Sequence, residues 1–197
     1  MSDRQTLDYY SEEAATYAEF VGDAKEDPFL NRFIAAMPEG AAVLDFGCGH
    51  GWAAAQMRDA GLSVTAMDGS AGLAAEAKAR YGIDVRVALF AELEEVAAFD
   101  GIWASFSLLH DSRAALPGHL RRLHRAARPG ALLFLGLKAG EGEARDPLGR
   151  LYSYFTEAEL RDELARAQWG EVTCETRRLA GLAGKKEDSL MLFARAL

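Results

Sequence analysis

Hydrophobic and polar positions change their spacing along the 197-residue chain. Up to residue 40, apolar side chains recur at helical intervals, which predicts one amphipathic helix from Leu7 to Phe20 and another from Pro28 to Met37. Beyond it, short apolar runs alternate with helical segments, which predicts a parallel sheet covered by helices on both faces. The predicted strands are 41–46, 63–67, 83–88, 99–104 and 131–137, and the predicted helices between them are 52–60, 71–81 and 113–127.

The last forty residues depart from this alternation. A capping-box pattern at Thr156–Glu159 predicts a helix that runs to about Gln168. Two strands follow, at 171–179 and 190–194, and the short loop between them, with Gly181 and Gly184, allows only antiparallel pairing. The prediction is therefore a doubly wound α/β sheet of seven mostly parallel strands with an antiparallel C-terminal strand.

Composition narrows the class of protein. Half of the residues are apolar and 26% are charged, which is typical of an ordered globular chain. The net charge of −8 argues against binding to a nucleic-acid backbone. No apolar run reaches membrane-spanning length and the N-terminus has no signal-peptide core, so we expect a cytoplasmic protein that does not bind membranes. Cys48, Cys174 and the scattered histidines do not indicate a metal site.

A glycine-rich turn, Gly47–Gly51, directly follows the first predicted strand. In a parallel sheet, ligands bind beyond the carboxyl ends of the strands, and glycines there allow tight turns and close approach to the backbone. Asp68 ends the second strand, where a carboxylate can accept hydrogen bonds from two ribose hydroxyls or can cap the next helix. Trp52 stands where dinucleotide sites have their third glycine, which favours an adenosine ligand without a pyrophosphate.

Five segments in this order resemble the class I S-adenosylmethionine-dependent methyltransferases, over about residues 41–197. They are Val43–Gly51, Asp68–Ser70, Phe99–His110, Leu123–Leu135 and Tyr154–Leu160. The resemblance implies a Rossmann-like fold, S-adenosylmethionine as cofactor and a small-molecule methyl acceptor. We expect one domain over 1–197, with a helical cap at 1–40 and a core at 41–197, present as a monomer or homodimer.

The resemblance also implies a set of cofactor-binding residues. They are Asp45, Gly47, Cys48, Gly49, Gly51 and Trp52 around the methionine part, Asp68, Gly69 and Ser70 at the ribose and adenine, Phe90 and Ala91 at the adenine, and Ser105 near the sulfonium. The family often has an acidic residue after the third strand, but this chain has Ala88–Glu92 there. Phe90 is therefore expected to pack on the adenine face, with backbone groups of Phe90 and Ala91 at its edge.

Candidate acceptor-side residues come from three segments. His110 follows the fourth strand and is the candidate general base, although a purely structural histidine explains it equally well. The substrate-binding candidates are Tyr10 and Tyr17 on the N-terminal helix, which can also simply pack on the sheet, and Lys138, Arg150 and Tyr154 around an expected loop over 138–146. The acceptor atom stays open. Two other functions stay open as well, a non-catalytic S-adenosylmethionine-binding module and, with less support, a nicotinamide-dependent oxidoreductase.

Overall fold

A mixed β-sheet forms the centre of the protein in a computed structural model, which describes residues 3–22, 27–180, 184 and 186–197. The strands are β1 (Ala42–Phe46), β2 (Ser63–Asp68), β3 (Val85–Val87), β4 (Phe99–Ser105), β5 (Ala127–Ala139), β6 (Glu143–Arg145), β7 (Leu151–Phe155), β8 (Trp169–Ala180) and β9 (Lys186–Ala196). The helices are α1 (Arg4–Glu12), α2 (Ala14–Val21), α3 (Pro28–Ala35), α4 (Trp52–Asp59), α5 (Ala71–Tyr81), α6 (Leu116–Ala126) and α7 (Glu157–Arg166).

The strand order confirms the predicted doubly wound fold. Strands β3, β2, β1, β4 and β5 lie side by side and run parallel. Strand β9 pairs antiparallel with both β5 and β8, as predicted for the C-terminal segment. Because β1 lies between β2 and β4, the chain connections diverge at the carboxyl end of β1, which is where ligands bind in such sheets.

Each face of the sheet carries its own hydrophobic core, as the continuous apolar strands predict. Leu133 and Leu135 of β5 pack in the core that includes α6 and α7. Leu132 and Phe134 point to the opposite face and pack with α3 and α4. There, Phe134 stacks on Trp103 with ring centroids 3.9 Å apart. Adjacent residues of one strand thus fill two different cores, which fixes the register of β5.

The loop that the sequence predicts over 138–146 is wrong in part, because β5 extends to Ala139 and β6, which forms a hairpin with β7, spans Glu143–Arg145. Strand β7 pairs with β5 at Lys138 and Ala139, beyond Gly136, where the pairing of β4 with β5 ends. Because Lys138 also pairs with Ser189 of β9, β7 takes the other edge of β5. The hairpin therefore extends the sheet past the end of β4, and the described strands number nine where the sequence predicts seven.

Helices α1 and α2 replace the single predicted helix over 7–20, with the break at Glu13. Asp3 caps α1 by accepting the Thr6 N–H, and its carboxylate also pairs with Arg145 of β6. The Thr6 hydroxyl in turn accepts the Leu151 N–H at 2.9 Å. These contacts hold α1 against the hairpin. Gly181, part of the predicted C-terminal loop, lies outside the described residues.

Within the part of the chain that the structure describes, none of the helices combines the length and the apolar character needed to cross a bilayer.

Candidate active site

The turn after β1 has the backbone that its glycines permit. Gly47, Gly49 and Gly51 have φ values of +79°, +55° and +81°, a region that residues with a Cβ atom rarely adopt. A Cβ atom on Gly47 would lie 2.2 Å from the Cβ of Ser107. The Ser107 hydroxyl donates to the Phe46 carbonyl at 2.6 Å, so this neighbour is itself held in place. Both the conformation and the packing of the turn thus require glycine at position 47.

Asp68 ties the ends of β1 and β2 together. One carboxylate oxygen accepts the Gly49 N–H at 2.8 Å, and the other accepts the Ser70 N–H at 2.8 Å. The side chain is buried, and that burial raises the pKa of Asp68. The helix cap at α5 is Ser70, whose hydroxyl accepts the Leu73 N–H. The Gly69 amide also hydrogen-bonds this carboxylate, so about one of its four lone-pair sites is left for a further donor.

Asp45 has a buried oxygen without a hydrogen-bond partner. Its carboxyl accepts the Ala54 N–H, but Oδ2 has no partner within the described structure. Burial, reinforced by the nearby Asp68 charge, raises the pKa of Asp45 to about 8. An unsatisfied buried acceptor is costly and rare in folded proteins. Asp45 also lies on a cavity wall, so the orphaned oxygen fits a cationic donor supplied by a ligand.

A cavity of ≈ 270 Å³ runs from this turn towards β7. Most of the predicted site residues line it, namely Tyr10, Tyr17, Asp45, Gly47, Cys48, Gly49, Trp52, Ser105, His110, Lys138 and Arg150. Those that lie away from its wall are Gly51, Asp68, Gly69, Ser70, Phe90, Ala91 and Tyr154. Lining residues outside the predicted set are Phe20, Val21, Asp27, His50, Ala53, Trp103, Phe106, Leu109, Tyr152, Leu179 and Ser189.

The sequence places some of these additional residues near the predicted site, but not others. His50 lies inside the glycine-rich turn, and Tyr152 lies two residues from both Arg150 and Tyr154, so the sequence brings both close to the site. Leu179 and Ser189 belong to β8 and β9, and only the three-dimensional pairing brings them to the cavity. No local pattern distinguishes such residues from ordinary strand positions.

The predicted adenine loop is packed beneath α1. Phe90 is only 1% exposed, and its ring centroid lies 4.5 Å from that of Phe46. A Cβ atom on Gly69 would lie 2.7 Å from the Cδ2 of Leu7 and 3.8 Å from that of Leu89. The Ser70 and Ser11 hydroxyls are hydrogen-bonded at 3.1 Å. The adenine contacts of Gly69, Ser70, Phe90 and Ala91 stay predictions.

His110 sits in a buried hydrogen-bond relay. Its Nδ1 lies 2.8 Å from the Leu151 carbonyl oxygen, which can only accept, so Nδ1 carries the proton. Its Nε2 therefore accepts from the Tyr10 hydroxyl at 2.8 Å. The Tyr10 oxygen accepts from Nη1 of Arg150 at 2.9 Å. Burial lowers the pKa of His110 to about 3, so the ring is neutral at physiological pH and both of its nitrogens are engaged.

Two basic side chains share the ring of Tyr152 on this wall. Arg150 lies 5.3 Å from the ring centroid and forms an ion pair with Asp146, with Nη2 2.5 Å from Oδ2. The ammonium of Lys138 lies 4.2 Å from the same centroid and is ion-paired with Glu187. Aromatic faces attract cations, so the Tyr152 ring helps to hold both groups beside the cavity.

Comparison with known proteins finds a match to a methyltransferase domain. The sequence profile described as a methyltransferase domain matches residues 43–130. A malonyl-[acyl-carrier protein] O-methyltransferase of Pseudescherichia vulneris is 32% identical over 146 residues, which is 66% of this chain and 56% of that protein. The enzyme of the same name from Enterobacter lignolyticus (strain SCF1) is 36% identical over 97 residues, 47% of this chain and 37% of that protein. The chain thus spans about half or less of the length of these relatives.

Solved structures agree with this assignment. The Burkholderia thailandensis 1,6-didemethyltoxoflavin-N1-methyltransferase, crystallised with 1,6-didemethyltoxoflavin and S-adenosylhomocysteine, superposes with a TM-score of 0.74 at 28% identity. The match covers 96% of this chain and 85% of that one. Haemonchus contortus phosphoethanolamine N-methyltransferase 2 has a TM-score of 0.78 at 15% identity, over 97% of this chain and 60% of that one, and so shows likeness of fold alone.

Proposed function

We propose that the chain is a class I S-adenosylmethionine-dependent methyltransferase, which its methyltransferase-domain match and its likeness to a solved methyltransferase support. It binds S-adenosylmethionine and transfers the methyl group of this cofactor to a small-molecule acceptor. When bound, the sulfonium supplies an electrophilic methyl group, whose bond to sulfur breaks as the bond to the acceptor forms. The observation that carries the proposal is the orphaned Oδ2 of Asp45 on the cavity wall, beside the glycine-rich turn.

The residues around this turn suit the cofactor. The Asp45 carboxylate can accept hydrogen bonds from the ammonium of the methionine part, which would satisfy the buried oxygen. Asp68 already accepts hydrogen bonds from the Gly49, Ser70 and Gly69 amides and keeps about one lone-pair site for a ribose hydroxyl. The absence of side chains at Gly47 and Gly49 lets a ligand approach the backbone.

The protein contributes alignment and exclusion of water. Alignment of two reactants can supply roughly 7–11 kcal/mol of the barrier in well-oriented cases. A base is needed only if the acceptor arrives protonated. In that case the Tyr10 oxygen can take the proton while its own proton passes to Nε2 of His110. The burial that lowers the pKa of His110 makes it a weak proton acceptor, so this site suits an acceptor that arrives deprotonated. The role of His110 as base stays a prediction.

The acceptor atom remains open within the proposal. The names of the relatives specify O-methylation in one case and N1-methylation in another. The non-catalytic alternative rests on the packed adenine loop, where Phe90 is buried. The nicotinamide alternative is disfavoured by Trp52, which lines the cavity where a dinucleotide site needs glycine. The cytoplasmic location and the monomeric or homodimeric state stay predictions.

A calorimetric and enzymatic experiment tests the proposal. We expect S-adenosylhomocysteine to bind and to raise the melting temperature, and NAD to do neither. Release of S-adenosylhomocysteine from S-adenosylmethionine is then measured across a panel of small-molecule acceptors. The control variant is Arg166→Gln, whose side chain is 70% exposed and does not line the cavity. Stabilisation by NAD alone would refute the proposal, whereas cofactor binding without any acceptor would favour the non-catalytic module.

A further inference from the structure

We infer that the acceptor carries a carboxylate-class anionic group, which binds at Arg150 and Lys138, and an apolar body, which lies towards Phe20 and Leu179. This inference rests on the proposed function, because it names the substrate class of the same site. It adds what the fold and the relatives leave open, namely which chemistry recognises the acceptor.

The first argument is the orientation of the two ion pairs. Arg150 and Lys138 line the cavity, whereas their partners Asp146 and Glu187 do not. Both pairs therefore present their positive member to the cavity and keep their negative member behind it. Side-chain exposure is only 2% for Arg150 and 14% for Lys138, so water screens these charges weakly. The charged groups that this part of the wall presents to the cavity are therefore positive, although each pair is formally neutral.

The second argument is hydrogen-bond capacity. A guanidinium has five N–H donors. In the described structure Nε and Nη2 of Arg150 each donate to Asp146, and Nη1 donates to Tyr10. Two N–H groups remain, one on each terminal nitrogen. Lys138 has three donors, of which the described bond to Glu187 uses one. A group with several acceptor oxygens, such as a carboxylate, matches this surplus of donors.

The third argument is the separation of charges along the cavity. The acids on its wall are Asp45, which faces the proposed cofactor ammonium, and Asp27, which caps α3 by accepting the Phe29 and Leu30 amides. The polar groups that line the cavity near Arg150 include the neutral His110 and the phenols of Tyr10 and Tyr152. The cavity therefore has an acidic end, where Asp45 ionises when the cationic cofactor binds, and a basic end that suits an anionic acceptor.

The fourth argument concerns the rest of the acceptor. Phe20 and Leu179 line the cavity and are 54% and 41% exposed, which is high for large apolar side chains. Phe106 and Trp52 add apolar surface to the same wall. An acceptor with an apolar body would cover these side chains while its anionic group reaches the basic residues. A carboxylate is also deprotonated at neutral pH, so methylation at its oxygen needs no base.

Calorimetry on the protein saturated with S-adenosylhomocysteine tests the inference. The probes are benzoate, the uncharged benzamide and the cationic benzylamine, which share one apolar ring. We expect benzoate to bind at least tenfold more tightly than either of the others. Lys138→Met and Arg150→Gln should each weaken benzoate binding at least fivefold and leave benzamide unchanged, and Arg166→Gln should change neither. Lys138→Met keeps the test valid if Arg150→Gln does not fold.

A second arm distinguishes the sources of the carboxylate. Free benzoate and free malonate represent small acids, and a malonyl group on acyl carrier protein represents a carrier-bound one. Binding of either kind of carboxylate more tightly than benzamide supports the inference, and the kind that binds more tightly identifies the source. Equal binding of benzoate and benzamide, preference for benzylamine, or no binding of any carboxylate overturns it. Failure of S-adenosylhomocysteine to bind refutes the proposed function instead, and benzoate binding that depends on Lys138 would then still show an anion site.

Discussion

Asp45 is expected to make cofactor binding depend on pH. Its carboxyl is buried, its Oδ2 has no partner in the described structure, and burial raises its pKa to about 8. At neutral pH the free protein therefore holds a proton on this group. A bound ammonium requires the carboxylate, so the proton must leave when the cofactor binds. The perturbation is a change of pH in the wild-type protein and in the Asp45→Asn variant.

The magnitude follows from the pKa. With a value of about 8, roughly nine in ten Asp45 carboxyls are protonated at pH 7, and binding should release about 0.9 proton per site. The affinity for S-adenosylhomocysteine should then rise roughly ninefold from pH 6 to pH 7. An α-ammonium titrates near pH 8 in the free ligand, so the useful range ends at about pH 7.5.

Titration calorimetry in two buffers of different ionisation enthalpy measures both the affinity and the protons released. In Asp45→Asn we expect no pH dependence from this site and a loss of about 1.5–3 kcal/mol, which is the usual value of a hydrogen bond to a charged group. Wild-type affinity that is flat from pH 6 to 7.5 would refute the reasoning. The same slope in Asp45→Asn would show that another group titrates.

Three further predictions concern the turn and the buried relay. Gly47→Ala should lower the free energy of unfolding by about 2–4 kcal/mol, because of the positive φ and the contact with Ser107. The control is Gly40→Ala, which has a φ of +72° and no neighbour within 4 Å and should cost only about 1 kcal/mol. Equal costs of the two substitutions in urea titrations would contradict this prediction. Asp68→Ala should lower S-adenosylmethionine affinity at least tenfold in calorimetry, and unchanged binding would argue against the ribose assignment. Because the folded-state pKa of His110 is about 3 and the unfolded value is 6.5, the unfolded state binds more protons in this window and stability falls as pH falls. From pH 6.5 to pH 5, the wild type should lose about 1.5–2 kcal/mol relative to His110→Gln, and parallel pH profiles would contradict this.

The sequence predicts the sheet well because its strands carry their own signal. Strands β1 and β5 are mostly apolar, and glycines or Asp68 mark the points at which the chain leaves the sheet. The glycine-rich turn after β1 and Asp68 at the end of β2 come together because β1 and β2 pair in parallel. Local patterns thus suffice for the part of the site that follows these two strands.

The hairpin of β6 and β7 shows where local patterns fail. All three residues of Glu143–Arg145 are exposed, so the segment buries no apolar face. Its position depends on contacts with distant residues, including the ion pair between Arg145 and Asp3. Phe90 is a similar case, because its burial against Phe46 depends on how α1 and the loop pack together. Such contacts join segments far apart in sequence, and no periodicity within either segment encodes them.

The extension of the sheet by β7 brings the hairpin to a part of the cavity wall that is separate in sequence from the glycine-rich turn. The turn and Asp45 precede residue 60, whereas Lys138, Arg150 and Tyr152 come from the end of β5 and from the hairpin. We therefore expect substitutions in the hairpin to alter acceptor choice and to leave the turn untouched. The same arrangement makes residues 140–155 a natural segment to randomise or exchange in engineering, because new acceptor scope can be selected on a constant methyl-donor half.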